Sequence, residues 1–141
     1  MPKRPHMDCY AIGDSAEFSK TVSEYDVYGF AGIVGDFYGV HLDEEYAKKT
    51  RFGKRIAQGA LSVGFVSTLM GHMAAKAPAP GAVSYRYDMT FVAPAYIGDT
   101  LTARLTLAEK DDDRNTCIFD ASVTNQAGEA VVRGRTYLKV L

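Results

Sequence analysis

Residues 59–73 constrain this chain more than any other stretch. From Gly59 they place Ala60, Leu61, Val63, Phe65, Val66, Leu69, Met70 and Met73 on nearly every helical face, while Ser62, Gly64 and Ser67 keep parts of the helix narrow. A helix apolar almost all round is expected to be buried. At 1.5 Å per residue it would be about 22 Å long, a length that suits a helix lying against a sheet in a small domain. The rest of the chain supplies that sheet. After Lys76-Ala-Pro-Ala-Pro-Gly81 breaks the helix, Tyr85, Tyr87, Met89 and Phe91 alternate with Arg86, Asp88 and Thr90. Leu101, Ala103, Leu105 and Leu107 then alternate with Thr102, Arg104 and Thr106, and Cys117, Phe119, Ala121 and Val123 with Asp120, Ser122 and Thr124. Val132, Leu138 and Val140 share a parity in a last strand that Gly134 and Thr136 weaken. Such period-two patterning predicts half-buried antiparallel strands, joined by turns at Asp111–Asn115 and Asn125–Gly128. The fold class is α+β, with an antiparallel sheet wrapping or covering a long central helix.

The first half reads as helical. After a short strand candidate at Glu17–Val22, Ser23 is a helix N-cap with Asp26 three positions on as a partial capping box. Val27, Phe30, Ala31 and Val34 form one apolar stripe, and Gly35 ends that helix. A loop, Asp36-Phe-Tyr-Gly-Val-His41, follows. Asp43 could cap a second helix, Glu44–Lys49, whose Glu44/Lys48 and Glu45/Lys49 pairs predict an exposed position. Arg51 to Gln58 is a basic, glycine-bearing connection to the long helix.

The 141 residues fit one domain spanning 1–141, with residues 1–8 expected to be a flexible tail. Hydrophobic residues make up 47% and charged residues 23%, which permits a real core. A net charge of −1 argues against a nucleic-acid partner. No apolar run is long enough to span a membrane, and no apolar segment follows the basic start as a secretory signal would require. Cys9 and Cys117 are too few and too isolated for a disulfide framework or a zinc site. A reducing, cytoplasmic setting is the expectation, with a single Cys9–Cys117 bridge left open.

Two features carry chemistry. A carboxylate and an imidazole held close, Asp36 and His41, can share a water, one taking a proton while the other orients it or returns it. Spacing alone favours a blander reading, in which Asp36 caps a turn and His41 is a loop histidine. Gly59 opens the long helix, where its N–H and the aligned peptide dipoles could stabilise a developing oxyanion. Equally, Gly59 could do no more than let the chain turn tightly into the helix.

The stretch Asp36-Phe-Tyr-Gly-Val-His41-Leu-Asp43, followed by Tyr46-Ala47, Phe52-Gly53 and Arg55-Ile-Ala-Gln-Gly59-Ala-Leu61, resembles the MaoC-like, (R)-specific enoyl-CoA hydratase family. That family reads D-x-N-P-x-H-x-D, then A, F-G and I-A-H-G-x-L. Phe91-Val-Ala-Pro94-Ala-Tyr-Ile-Gly98-Asp99-Thr100-Leu101 is similar to its F-x-x-P-x-x-x-G-D-T-L segment. The resemblance implies a hot dog fold, a homodimer or higher homo-oligomer, and an acyl-CoA thioester partner. No metal or redox cofactor is implied; coenzyme A is part of the substrate. The implied reaction is reversible hydration of a trans-2-enoyl-CoA to a (3R)-hydroxyacyl-CoA, or dehydration of a related hydroxyacyl-CoA. Asp36 and His41 would activate the water, either one serving as base, and the Gly59 amide would hold the thioester oxygen. Ser67 matches a serine found near the site in some short-chain members. Tyr38, Gly39 and Gln58 depart from the family's Asn, Pro and His, which bears on the substrate more than on the reaction class. Tyr38 and Gln58 are candidate substrate contacts. Arg51 and Arg55, with Lys48, Lys49 and Lys54, could meet coenzyme A phosphates, although solvated surface charge accounts for most of that set. A hot-dog thioesterase and a non-catalytic acyl-CoA binding subunit are the alternatives; the first would want a carboxylate on the long helix, which has none.

Overall fold

Ser23 starts the first helix as its chemistry requires. In the computed structural model, which describes residues 2–141, its side chain accepts the Asp26 N–H at 3.1 Å while the Asp26 carboxylate accepts the Ser23 N–H at 2.9 Å. This reciprocal cap opens α1 (Glu24–Val34), and Gly35 closes it in the left-handed region at φ 80°. Before α1 runs β1 (Ser15–Thr21). After it come two single-turn helices, α2 (Gly39–Leu42) and α3 (Glu44–Ala47), then α4 (Gly59–Ala74). Four strands complete the chain: β2 (Ala82–Phe91), β3 (Thr100–Asp111), β4 (Thr116–Thr124) and β5 (Ala130–Val140).

All pairings are antiparallel and the sheet order is β1-β3-β4-β5-β2. α4 touches every strand. Its Phe65, Val66, Leu69, Met70 and Met73 form the core with Leu101, Leu105, Leu107, Phe119, Val123 and Leu138 from the inward parity of β3, β4 and β5. The predicted α+β fold, a helix with an antiparallel sheet around it, is the one observed.

Four expectations need correction. α4 is not covered all round: Ala60, Gly64, Ser67, Thr68, Gly71 and His72 are exposed. They recur at i, i+4, i+7, i+8, i+11 and i+12, one helical stripe, and a single sheet covers only the opposite side. Small residues hid that stripe from a hydropathy reading. Tyr85, Tyr87 and Phe91 are likewise exposed, because β2 is the sheet edge and bulges between Ser84 and Arg86. The i, i+4 ion pairs are absent, since α3 ends at Ala47; Lys48 pairs with Glu45, and Glu44 turns to Arg55. Of the expected tail, residue 1 lies outside the described residues, and residues 2–8 are pinned rather than frayed. Met7 is buried in the core, Arg4 donates its N–H to Asn115 Oδ1, and Asn115 donates to the Pro2 carbonyl.

Tyr10 and Cys117 lie in this core, and both thiols of the chain are free. The Tyr10 hydroxyl donates to the Met73 carbonyl at 2.9 Å, tying the chain start to the end of α4. Burial pushes the Tyr10 phenol up to about 12 and the Cys117 thiol up to about 11. Acids whose folded pKa exceeds the unfolded one stabilise the fold below the unfolded value, and that stability fades as pH rises toward the folded value. The melting temperature is therefore expected to fall from about pH 9 upward, starting as unfolded-state cysteine ionises. In thermal melts between pH 8 and 11, Cys117→Ala should shift the onset of that decline upward; an unchanged onset would contradict the assignment.

Among the described residues no helix is long and apolar enough to cross a membrane.

Candidate active site

His41 is held from two directions. Its backbone N–H donates to the Tyr38 carbonyl at 3.0 Å within α2, and Ile56 N–H donates to the Val40 carbonyl at 3.1 Å, bringing the connection before α4 alongside. The Ile56 carbonyl then lies 2.8 Å from His41 Nδ1. A carbonyl oxygen only accepts, so Nδ1 must carry the hydrogen, and in neutral imidazole Nε2 is left as the acceptor. Nε2 faces Asp36 Oδ2 at 3.8 Å. That span exceeds a direct hydrogen bond but is one that a single water can bridge. Asp36 follows the Gly35 cap directly and accepts the Tyr38 N–H on Oδ1 at 3.3 Å. Its side chain is 42% exposed while His41 as a residue is only 8% exposed, so the pair joins a wet carboxylate to a sheltered base.

The start of α4 is fixed by the turn after β2. Gly98 takes φ 97°, a conformation that favours glycine, and Asp99 Oδ2 accepts the Tyr96 N–H at 2.8 Å. The turn presents the Ala95 carbonyl to Ala57 N–H at 2.7 Å, and Tyr96 forms an isolated bridge with Ile56. The Pro94-to-Leu101 segment therefore positions both Ile56, the partner of His41, and the first turn of α4. Gly59 N–H has no protein acceptor among the described residues, as befits a helix N-terminus. A Cβ on Gly59 would sit 2.7 Å from the Phe91 ring, so a larger residue there would push that exposed ring aside.

His41 and Gly59 line one cavity of about 820 Å³. Its wall is mostly apolar, including Ile56, Phe91, Val92, Val131 and Val132, with Arg51, Glu129 and Ser62 as polar points. Such a cavity, apolar with a few convergent polar groups, suits a small organic ligand.

Of the residues singled out from sequence, the structure brings His41, Gly59 and Arg51 to this cavity, with Asp36 against His41 and the Tyr38 ring edge-on to it at 5.7 Å. Asp36 and Tyr38 stand beside His41 without lining the cavity, and three others lie farther off. Arg55 is consumed by Glu24, Glu44 and the Tyr28 hydroxyl, clamping α1 to α3; those partners raise its pKa. Gln58 is 2% exposed and donates to the Val27 carbonyl at 2.9 Å, so it braces α1 against α4. Ser67 lies on the exposed face of α4, away from the cavity lining. Ser62 was missed; standing one helical turn after Gly59 on the same face, it could have been found from spacing. Asp99 carries no signal of its own in the sequence beyond its motif; its structural work is its bond to Tyr96.

The chain is similar to known proteins of one family over most of its length. The family model described as "MaoC like domain" matches residues 10–128. An (R)-specific enoyl-CoA hydratase of Rhodospirillum rubrum is 39% identical over 91% of this chain and 86% of its own length. A 3-hydroxybutyryl-CoA dehydratase of Methylorubrum extorquens is 35% identical over 92% of this chain and 80% of its own. Among solved structures, an R-hydratase of Pseudomonas aeruginosa superposes with a TM-score of 0.83 at 32% identity, covering 99% of this chain and 87% of that one. The family match over residues 10–128 and these relatives place the chain in the MaoC-like domain family.

Proposed function

We propose that this chain catalyses the reversible hydration of a trans-2-enoyl-CoA to the (3R)-hydroxyacyl-CoA, with Asp36 and His41 gripping the water. The observation that carries this reading is the fixed tautomer of His41: Nδ1–H is spent on Ile56, so Nε2 is free to accept a proton 3.8 Å from Asp36. The enzyme is a hydro-lyase. The thioester oxygen sits at the Gly59 N–H, where the positive end of α4 favours the negative charge that grows there. Asp36 orients the water by accepting a hydrogen bond from the O–H that stays in the product hydroxyl. The water oxygen bonds to C3 as its other proton passes to His41 Nε2, and the C2–C3 π electrons move into a thioester enolate. The imidazolium returns the proton to C2, which restores the carbonyl and neutral His41. Dehydration runs the same steps backward. Coenzyme A enters as part of the substrate, and no step passes through a metal or redox cofactor. Arg51, at the cavity wall, meets the coenzyme A phosphates.

The test follows the conjugated-thioester absorbance of crotonyl-CoA and longer enoyl-CoAs with purified protein. Loss of absorbance with formation of the (3R)-hydroxy product is expected. No turnover on any chain length, or release of free thiol instead, would contradict the reading. Asp99→Ala, which frees the Tyr96 turn and so loosens Ile56 and α4, should lower kcat/KM about tenfold, since small displacements of reacting groups are costly. An unchanged value would contradict the positioning role.

The chain works as a cytoplasmic homodimer in this reading. β2 is a sheet edge carrying exposed Val83, Tyr85, Tyr87 and Phe91, which a second copy of β2 would cover while extending the sheet.

A further inference from the structure

We infer that Tyr38 is a positioning residue that sets both members of the Asp36–His41 pair at once, its backbone fixing the carboxylate and its ring fixing the plane of the imidazole. The inference rests on the hydratase reading for its kinetic consequences, but the geometry stands by itself. Tyr38 donates its N–H to Asp36 Oδ1 at 3.3 Å. Its ring meets His41 at 5.7 Å between centroids and 82° between planes, an edge contact of the kind aromatic pairs favour. One hydrogen bond, from His41 Nδ1 to the Ile56 carbonyl, fixes one point of the imidazole and leaves the ring able to tilt about it. The Tyr38 ring supplies the second contact that stops the tilt and keeps Nε2 aimed at Asp36.

Tyr38 could not do this if it were itself free, since the residue is 55% exposed. Tyr46 meets it edge-on, 5.8 Å away at 70°. Tyr46 in turn is fixed by α3, where the Asp43 cap accepts its N–H at 3.1 Å. The Tyr46 ring rests directly on Gly39: a Cβ there would come within 3.0 Å of its Cγ. The Tyr38-Gly39 departure from the Asn-Pro pattern is therefore one device. Gly39 makes room for Tyr46, Tyr46 backs Tyr38, and Tyr38 backs His41.

The experiment compares Tyr38→Ala, Tyr38→Leu and Tyr38→Phe in the full chain by two readouts. The first is enoyl-CoA hydration. Tyr38→Ala and Tyr38→Leu should each lose about 30-fold in kcat with KM within about threefold, because misaligned reacting groups cost turnover rather than binding. Tyr38→Phe, which keeps the ring, should stay within about threefold of the parent. The second readout needs no substrate: solvent exchange of the His41 Nδ1–H, identified in the NMR spectrum by its loss in His41→Ala. It should accelerate about tenfold or more in Tyr38→Ala and Tyr38→Leu and not in Tyr38→Phe, because the ring contact adds a second restraint to the imidazole beside the Ile56 hydrogen bond. Unchanged exchange in Tyr38→Ala, or equal losses in the Phe and Ala variants, would overturn the inference. A parent protein that hydrates no enoyl-CoA would sink the functional reading and leave the exchange result to judge Tyr38 alone.

Discussion

Asp36→Asn and His41→Ala should each lower enoyl-CoA hydration by about a thousandfold while the far-ultraviolet spectrum stays that of the parent. Positioned acid–base groups contribute on the order of a hundredfold to ten-thousandfold, and each substitution here removes more than one function of the pair. Asparagine keeps the shape of Asp36 and can still accept the Tyr38 N–H through its carbonyl oxygen, so the loop stays closed. It loses the charge that steadies the imidazolium formed when water gives up its proton. Alanine at 41 removes the proposed base. It also strips the Ile56 carbonyl of its partner in a sheltered position, which costs about 1 kcal/mol and a few degrees of melting temperature. In both variants kcat and kcat/KM should fall together, because the lost interactions operate only as the proton moves. Full rate in both would mean that the water is activated elsewhere; loss of rate together with loss of the native spectrum would mean that the pair is structural.

Gly134→Ala should have the largest effect on stability, lowering the melting temperature by about 10 °C, equivalent to about 3 kcal/mol. Gly134 lies opposite Met89 of β2 and Ala121 of β4. A Cβ there would fall 2.0 Å from the Asp88 carbonyl oxygen and 2.8 Å from the Met89 Cα. Both obstacles are backbone, so no side-chain rotation relieves the clash, and β2 must move off β5. Gly32→Ala is the contrast. It sits in α1 with nothing within 4 Å of the added carbon, so it should hold or raise stability by up to about 1 kcal/mol, the usual glycine-to-alanine gain in a helix. Equal melting temperatures for the two variants would contradict this reading of the β2–β5 approach.

Much of this architecture is legible in the sequence because its signals are local. The Ser23–Asp26 cap, the Gly35 stop and the period-two parity of β3 and β4 each depend on neighbours within a turn or a strand. Residues 59–73 were readable as the central helix, but not the open stripe from Ala60 to His72. Glycine, serine and alanine do not announce which side of a helix faces water; the sheet decides that. β2 misled for a related reason. Alternation in Tyr85, Tyr87 and Phe91 marks a face destined for burial, but it does not say what covers it, and the sheet order leaves that strand at the edge. Arg55 as a phosphate contact and Gln58 as a substrate contact do not hold, because their partners, Glu24, Glu44 and Val27, are far away in sequence. Long polar side chains reach whatever tertiary structure brings near. The motif is what singles out Asp36, His41 and Gly59 as the proposed site, whereas the bond that assigns the histidine tautomer, to Ile56, comes from a stretch of chain fifteen residues away.

The most direct test is a crystal structure of the Asp36→Asn protein soaked with an enoyl-CoA it can no longer hydrate. The substrate oxygen should lie about 3 Å from the Gly59 nitrogen, with C3 of the acyl group facing His41 Nε2 across the room for one water. An acyl chain bound with its carbonyl turned from the start of α4, or with C3 out of reach of the imidazole, would contradict the account.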